Sequence, residues 1–133
     1  MTRYSLAISV MLVAACQGSQ PSATAPDSRV IRLLEISHAW IDQPRCVYEQ
    51  IGESTNELFI YLDCRSPNHQ QGTNGPGVVR LSGDGTPVRL LKPGDGSQHQ
   101  IDIAQMFPKG AQEMLSSRNL VELRERVESL HAR

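Results

Sequence analysis

The sequence predicts an α+β fold: a mainly antiparallel sheet of about six strands, curled into a sandwich or half-barrel, with one helix at the C-terminus. Three observations carry this expectation. Short apolar runs with period-two alternation recur between residues 30 and 104. Turn-forming clusters of Gly, Asp, Asn and Pro separate them at close intervals. Beyond Pro108 the apolar spacing changes to the three-four pattern of a helix.

The chain opens with a charged start, Arg3, followed by an apolar or small run from Leu6 to Ala15. Such a run is a secretory signal and is too short to span a bilayer, which takes about 20 apolar residues. Its end, Val13-Ala14-Ala15-Cys16, resembles the lipobox of bacterial lipoproteins. The resemblance implies cleavage after residue 15 and acylation of Cys16. It implies a membrane anchor made of acyl chains, two of which suffice for stable attachment. Gln17, where Asp would signal inner-membrane retention, implies the outer membrane facing the periplasm. Residues 16–28 then read as the lipidated cysteine and a disordered tether rich in Ser, Pro and Ala, without a large apolar side chain. It would reach roughly 40 Å extended and about 20 Å as a coil. Residues 29–133 form the single β-rich domain.

Val30–Ile41 reads as the first strand, with Leu34, Ile36, His38 and Trp40 on one face and a phase change at Ile31 and Leu33. Cys46–Ile51 and Glu57–Arg65 read as a hairpin symmetric about Thr55. That register sets Tyr48 opposite Leu62 and Cys46 opposite Cys64, where directly paired Cβ atoms lie about 4.5–5.5 Å apart, near disulfide distance. With Cys16 acylated, Cys46 and Cys64 are the remaining pair in an oxidising compartment, and their bond should contribute about 3 kcal/mol. Ser66–Gly77 reads as a long polar loop. Val78–Ser82 and Pro87–Lys92 make a second hairpin around Gly83-Asp84-Gly85, pairing Leu81 with Val88, Val79 with Leu90 and Arg80 with Arg89. Gln98–Ala104 reads as the last strand, with His99, Ile101 and Ile103 on one face. Ala111–Leu115 is a helical turn. Asn119–His131 is the helix, with Asn119 and Glu122 as a capping box, an apolar stripe Leu120, Leu123, Val127, Leu130, and i,i+4 pairs Glu122–Arg126 and Arg124–Glu128.

Composition narrows the function classes. Thirteen basic and 14 acidic residues are present; loss of Arg3 with the signal leaves 12 against 14, a net charge of −2. That balance argues against a nucleic-acid partner. No Gly-x-Ser-x-Gly elbow occurs, and Ser37, His38 and Asp42 cannot form a triad on one strand because Ser37 and His38 face opposite ways. His38, His69, His99, His131, Asp84, Asp95 and Asp102 show no metal-ligand spacing. The reading is therefore no catalytic residue, no metal and no cofactor.

The expected function is that of a non-enzymatic, lipid-anchored binding or accessory protein in the periplasm, with an envelope protein as partner. The alternative is an inhibitor or immunity protein against a cell-wall-degrading, lysozyme-like enzyme. Small lipid-anchored lysozyme inhibitors are similar in size, β content and single disulfide. Their inhibitory loop motif is not present here, so no residue is carried over from them. Candidate partner-binding residues are Trp40, Arg65, Asn68, His69, Asn74, Arg80 and Arg89. Trp40 is read as core or as an exposed anchor, and the 66–77 loop as the recognition element. Arg80 opposite Arg89 calls for a carboxylate, either Glu35 or Asp102 within the chain or an acidic partner.

Overall fold

The computed structural model describes residues 25–133; the expected signal, the lipobox with Cys16 and the expected tether as far as residue 24 lie outside the described residues. The end of the 16–28 stretch is not tether, Asp27 being the cap and Ser28 the first residue of a helix. The fold is α+β, but the sheet has four strands, not six, and it stays a single layer. In chain order the elements are α1 (Ser28–Ser37), β1 (Arg45–Ser54), β2 (Glu57–Arg65), β3 (Gly72–Leu81), β4 (Pro87–Leu91), α2 (Ser97–Met106), α3 (Lys109–Met114) and α4 (Ser117–Ser129), with a 3₁₀ turn at Leu130–Ala132. The strands pair antiparallel in the order β1-β2-β3-β4.

Two expected strands are helices. In the first segment Val30, Leu34, His38 and Ile41 are buried, whereas Ile36 and Trp40 are exposed. Spacings of four, four and three residues are one face of a helix, so the supposed alternation mixed inward and outward positions. The phase change at Ile31 and Leu33 was the helix showing through. Asp27 caps α1, its carboxylate accepting the Arg29 N–H at 2.9 Å, while its own N–H donates to the Tyr48 hydroxyl at 2.8 Å. In 97–106 the inward positions are His99, Asp102, Ile103 and Met106, again helical, and Ile101 is exposed. Asp102 accepts the Gly94 N–H at 2.8 Å and the Gln98 amide at 2.7 Å, which stitches the preceding turn onto α2.

The hairpin registers stand closer to expectation. Cys46 pairs with Cys64 and Tyr48 with Leu62. The turn, however, is only two residues, Thr55–Asn56, because Ser54 pairs with Glu57. A β-bulge between Gln50 and Gly52, with Ile51 as the extra residue, restores the register that a symmetric hairpin about Thr55 would give. In the second hairpin Val79–Leu90 and Arg80–Arg89 pair as expected, but Leu81 faces Pro87 across an irregularity, not Val88.

The polar stretch expected as loop 66–77 is loop only to residue 71. Gly72–Gly77 continues β3 along β2, from Arg65↔Gly72 to Ile60↔Gly77. These residues carry no apolar pattern because they are there for their backbones and small size. A Cβ on Gly77 would stand 3.0 Å from Leu90 Cδ1 and 3.2 Å from Leu62 Cδ2. Pro76 is tolerated since β4 pairs only from Val78 onward, leaving β3 an edge at that point.

β2 organises the core: Phe59 to Cys64 are all buried, so both of its faces are covered. Leu62, Ile60, Cys64, Cys46, Tyr48 and Val79 pack on one face with Val30, Leu34 and Ile41 from α1 and the turn after it. On the other face Phe59 and Val78 meet Phe107 and Ala111, and Tyr61 meets Leu123 and Val127 of α4. The result is three layers, α1 above the sheet and α2 to α4 below. The α4 stripe is inward as expected, but the helix starts earlier, with Ser116 in the cap position. Asn119 instead donates its amide to the Glu113 carbonyl at 2.9 Å, tying α4 to α3. The basic partners also look elsewhere: Arg126 makes a two-pronged pair with Glu49 of β1, at 2.9 Å on each oxygen. Among the described residues no helix is long and apolar enough to cross a membrane.

Candidate functional site

At the end of the sheet remote from the Thr55–Asn56 turn, two features meet. The first is the turn 38–44 that follows α1. Buried His38 and Ile41 pin it to the core, which leaves Trp40 facing outward and 60% exposed beside Ile36, 63% exposed. These two line an open concavity of about 850 Å³ with Arg32, Glu35, Asp42 and Pro44. Trp40 is thus exposed and not core.

The second is the loop 66–71. Ser66, itself buried, donates its hydroxyl to Asn68 Oδ1 at 2.7 Å and accepts the Gln71 N–H at 3.1 Å. Its backbone exchanges a further bond with Gln71, and the His69 N–H donates to the Ser66 carbonyl at 3.0 Å. His69 sits at φ +60°, a left-handed conformation held by these braces. The side chains of Pro67, Asn68, His69 and Gln70 are exposed around a loop that has little freedom left. Gln71 Oε1 accepts the Asp42 N–H at 2.8 Å, and that bond joins the loop to the Trp40 turn.

Below the loop lies a polar cleft of about 200 Å³ lined by Asp63, Arg65, His69, Gln71, Thr73 and Asn74. Asp63 is 2% exposed, yet fully engaged. Arg65 grips both its oxygens, at 2.8 and 3.1 Å, and His131 Nε2 reaches it at 3.0 Å from the C-terminal 3₁₀ turn. Glu128 stands 3.7 Å from Arg65. Next along β2, the Tyr61 hydroxyl donates to Asn74 at 3.0 Å and accepts from Arg124 at 3.3 Å. The Asp63 bond holds the Arg65 guanidinium above its ordinary pKa. A buried acid, a half-buried arginine and a half-buried histidine meet here, and the one hydroxyl among the lining residues is that of Thr73.

Of the expected partner-binding residues, Trp40, Arg65, Asn68, His69 and Asn74 fall on this end. Arg80 and Arg89 do not. They lie toward the opposite end, where Arg80 pairs across the sheet with Glu57. Both are exposed, and among the described residues neither makes an ion pair; the expected partners Glu35 and Asp102 lie elsewhere, Glu35 on the Trp40 concavity and Asp102 on Gly94. The carboxylate that offsets the Arg80–Arg89 pair is carried by Glu57, directly opposite Arg80 on β2, and solvent screens the rest. The roles of His131, Gln71 and Asp42 are not legible in the sequence, because only the tertiary fold brings His131 onto Asp63 and Gln71 onto the Asp42 backbone. A search of family models, curated proteins and solved structures finds no match to this chain.

Proposed function

We propose that this chain is a non-enzymatic binding or accessory protein of the cell envelope, tethered to the outer membrane through acylated Cys16, which recognises a periplasmic protein with the end that carries Trp40. The observation that carries this reading is Trp40 standing open on a broad concavity, beside Ile36 and bonded through Asp42 to a braced loop. Tryptophan is enriched among the residues that dominate protein interfaces, and a pre-ordered loop adds contacts with little ordering cost. Arg32, Glu35 and Asp42 around the rim mix both signs of charge, which suits a protein surface better than a lipid one.

The position of the start of α1 supports the same reading. His38, just past the end of α1, stands 3.3 Å from Lys92, just past the end of β4, so the start of α1 lies toward the β3–β4 turn, at the far end from Trp40. α1 then runs about 15 Å, at 1.5 Å per residue, toward the recognition end. Trp40 therefore lies at the opposite end of α1 from the residue where the chain enters the helix.

A photo-crosslinking residue at Ile36 in the lipidated chain tests this in the native envelope. One dominant protein adduct, abolished by Trp40→Ala, is the expected result. An adduct pattern indifferent to Trp40→Ala sinks the reading.

The braced loop favours a second reading, an inhibitor of a cell-wall-degrading enzyme, since a rigid exposed tip is what an active-site plug requires. Muramidase inhibition lost on replacing Asn68, His69 and Gln70 by glycine would support it. Absence of inhibition by the intact chain removes it.

A further inference from the structure

The disulfide under α1 has close company. Cys46, Cys64 and His38 are 4%, 0% and 3% exposed, and one ligand atom of each lies within 4.8 Å of the other two. His38 Nδ1 is 3.6 Å from Cys64 Sγ and 2.7 Å from the Leu34 carbonyl, to which it donates. On the far side of the ring Nε2 stands 3.3 Å from Lys92 Nζ. In the oxidised chain the two sulfurs are bonded to each other and offer no ligand.

We propose that reduction of Cys46–Cys64 by an external dithiol turns this cluster into a three-coordinate Cu(I) site, with Cys46 Sγ, Cys64 Sγ and His38 Nδ1 as ligands. The first step moves two electrons and two protons: the S–S bond breaks, two thiols form, and the dithiol becomes a disulfide. Binding Cu(I) then releases both thiol protons. The imidazole proton leaves Nδ1, Nε2 takes one up, and the bond to the Leu34 carbonyl is given up for the bond to copper. The bound centre carries one negative charge, from two thiolates and one Cu(I).

Three features favour this site. The sheet keeps the cysteines opposed without their bond, since Arg45↔Arg65 and Val47↔Asp63 pair on either side of them. Metal–sulfur bonds of about 2.3 Å allow ligand atoms up to about 4.6 Å apart to share an ion, so the two sulfurs have only to part on reduction, with His38 Nδ1 already 3.6 Å from Cys64 Sγ. Softness and coordination number select the metal. Thiolates suit Cu(I) and zinc, but zinc takes four ligands, and among the described residues no fourth His, Cys, Asp or Glu joins the three. Burial leaves little room for water to serve. Lys92 supplies a positive charge beside the negative centre; being an exposed residue, it can shift so that its ammonium does not face the new Nε2–H.

The test uses the full chain with Cys16→Ser, which removes the one other thiol. Oxidised and dithiol-reduced samples are titrated anaerobically with Cu(I) against bicinchoninate, following thiolate-to-copper absorbance. One Cu(I) per reduced chain, none in the oxidised chain and at least tenfold weaker binding by His38→Gln are expected. Equal affinity in His38→Gln, folded by circular dichroism when oxidised, overturns the site. So does tighter binding of Zn(II) than of Cu(I). If reduction alone unfolds the chain, recovery of the native spectrum on adding Cu(I) supports the site, and failure to recover overturns it.

Discussion

Single side chains here separate cleanly into those that hold the domain and those that face outward. Asp63 belongs to the first kind. Its carboxylate is sealed in and bonded to Arg65 and His131, so Asp63→Ala leaves two cationic or polar groups without their acceptor. A loss of about 3 kcal/mol in urea unfolding is expected, the scale for breaking one partner out of a buried pair. Trp40 is the second kind: Trp40→Ala should change stability by no more than about 0.5 kcal/mol while it removes the crosslinked partner. His38 adds a pH dependence to the oxidised domain. Burial, and then the nearby Lys92 charge, lower its pKa below the usual 6.5, against the bond to Leu34. The unfolded chain therefore takes up a proton first as pH falls. Stability is full above about pH 6.5 and declines below it, by at most about 1.4 kcal/mol per pH unit until the folded form also protonates. Urea titrations at pH 7.5 and 5 should show this, and His38→Gln should flatten it. An equal slope in that variant would assign the effect to another group.

The elements show what a sequence can and cannot reveal. The Cys46–Cys64 register and the inward face of α4 were readable because each depends on a local period and a nearby turn. The strand reading of α1 and α2 failed because β-branched and apolar residues at Val30, Ile31, Ile101 and Ile103 fit either period over a short window, and docking onto the sheet decided between them. β3 was half missed for the opposite reason: Gly72 to Gly77 pair through backbone alone. Gly77→Ala tests that account. The added methyl meets Leu62 and Leu90, so a cost of about 1–3 kcal/mol is expected by thermal or urea unfolding, although Ala suits a strand better than Gly. As for the site, Trp40, Asn68 and His69 were nameable as exposed or polar features. Their union through Asp42 and Gln71 was not, since 29 residues separate the bonded pair. The same holds for His38 and Cys64, 26 apart in sequence, whose proximity no motif spacing encodes.

As a whole, the molecule is a sheet buried on two sides, with its most protected strand in the middle. Amide hydrogens of Phe59 to Leu62 should exchange last, at the rate of global unfolding, and those of β4 well before them. The disulfide crosses from β1 to β2 over 18 positions and closes the hairpin into a covalent ring. A ring tolerates one cut. A protease that severs the exposed Thr55–Asn56 turn leaves a nicked protein that still runs as one species until its cystine is reduced, when two fragments separate. The hairpin tip is also far from Trp40. It is therefore the place to split the chain or insert a label without touching the Trp40 concavity or the braced loop 66–71.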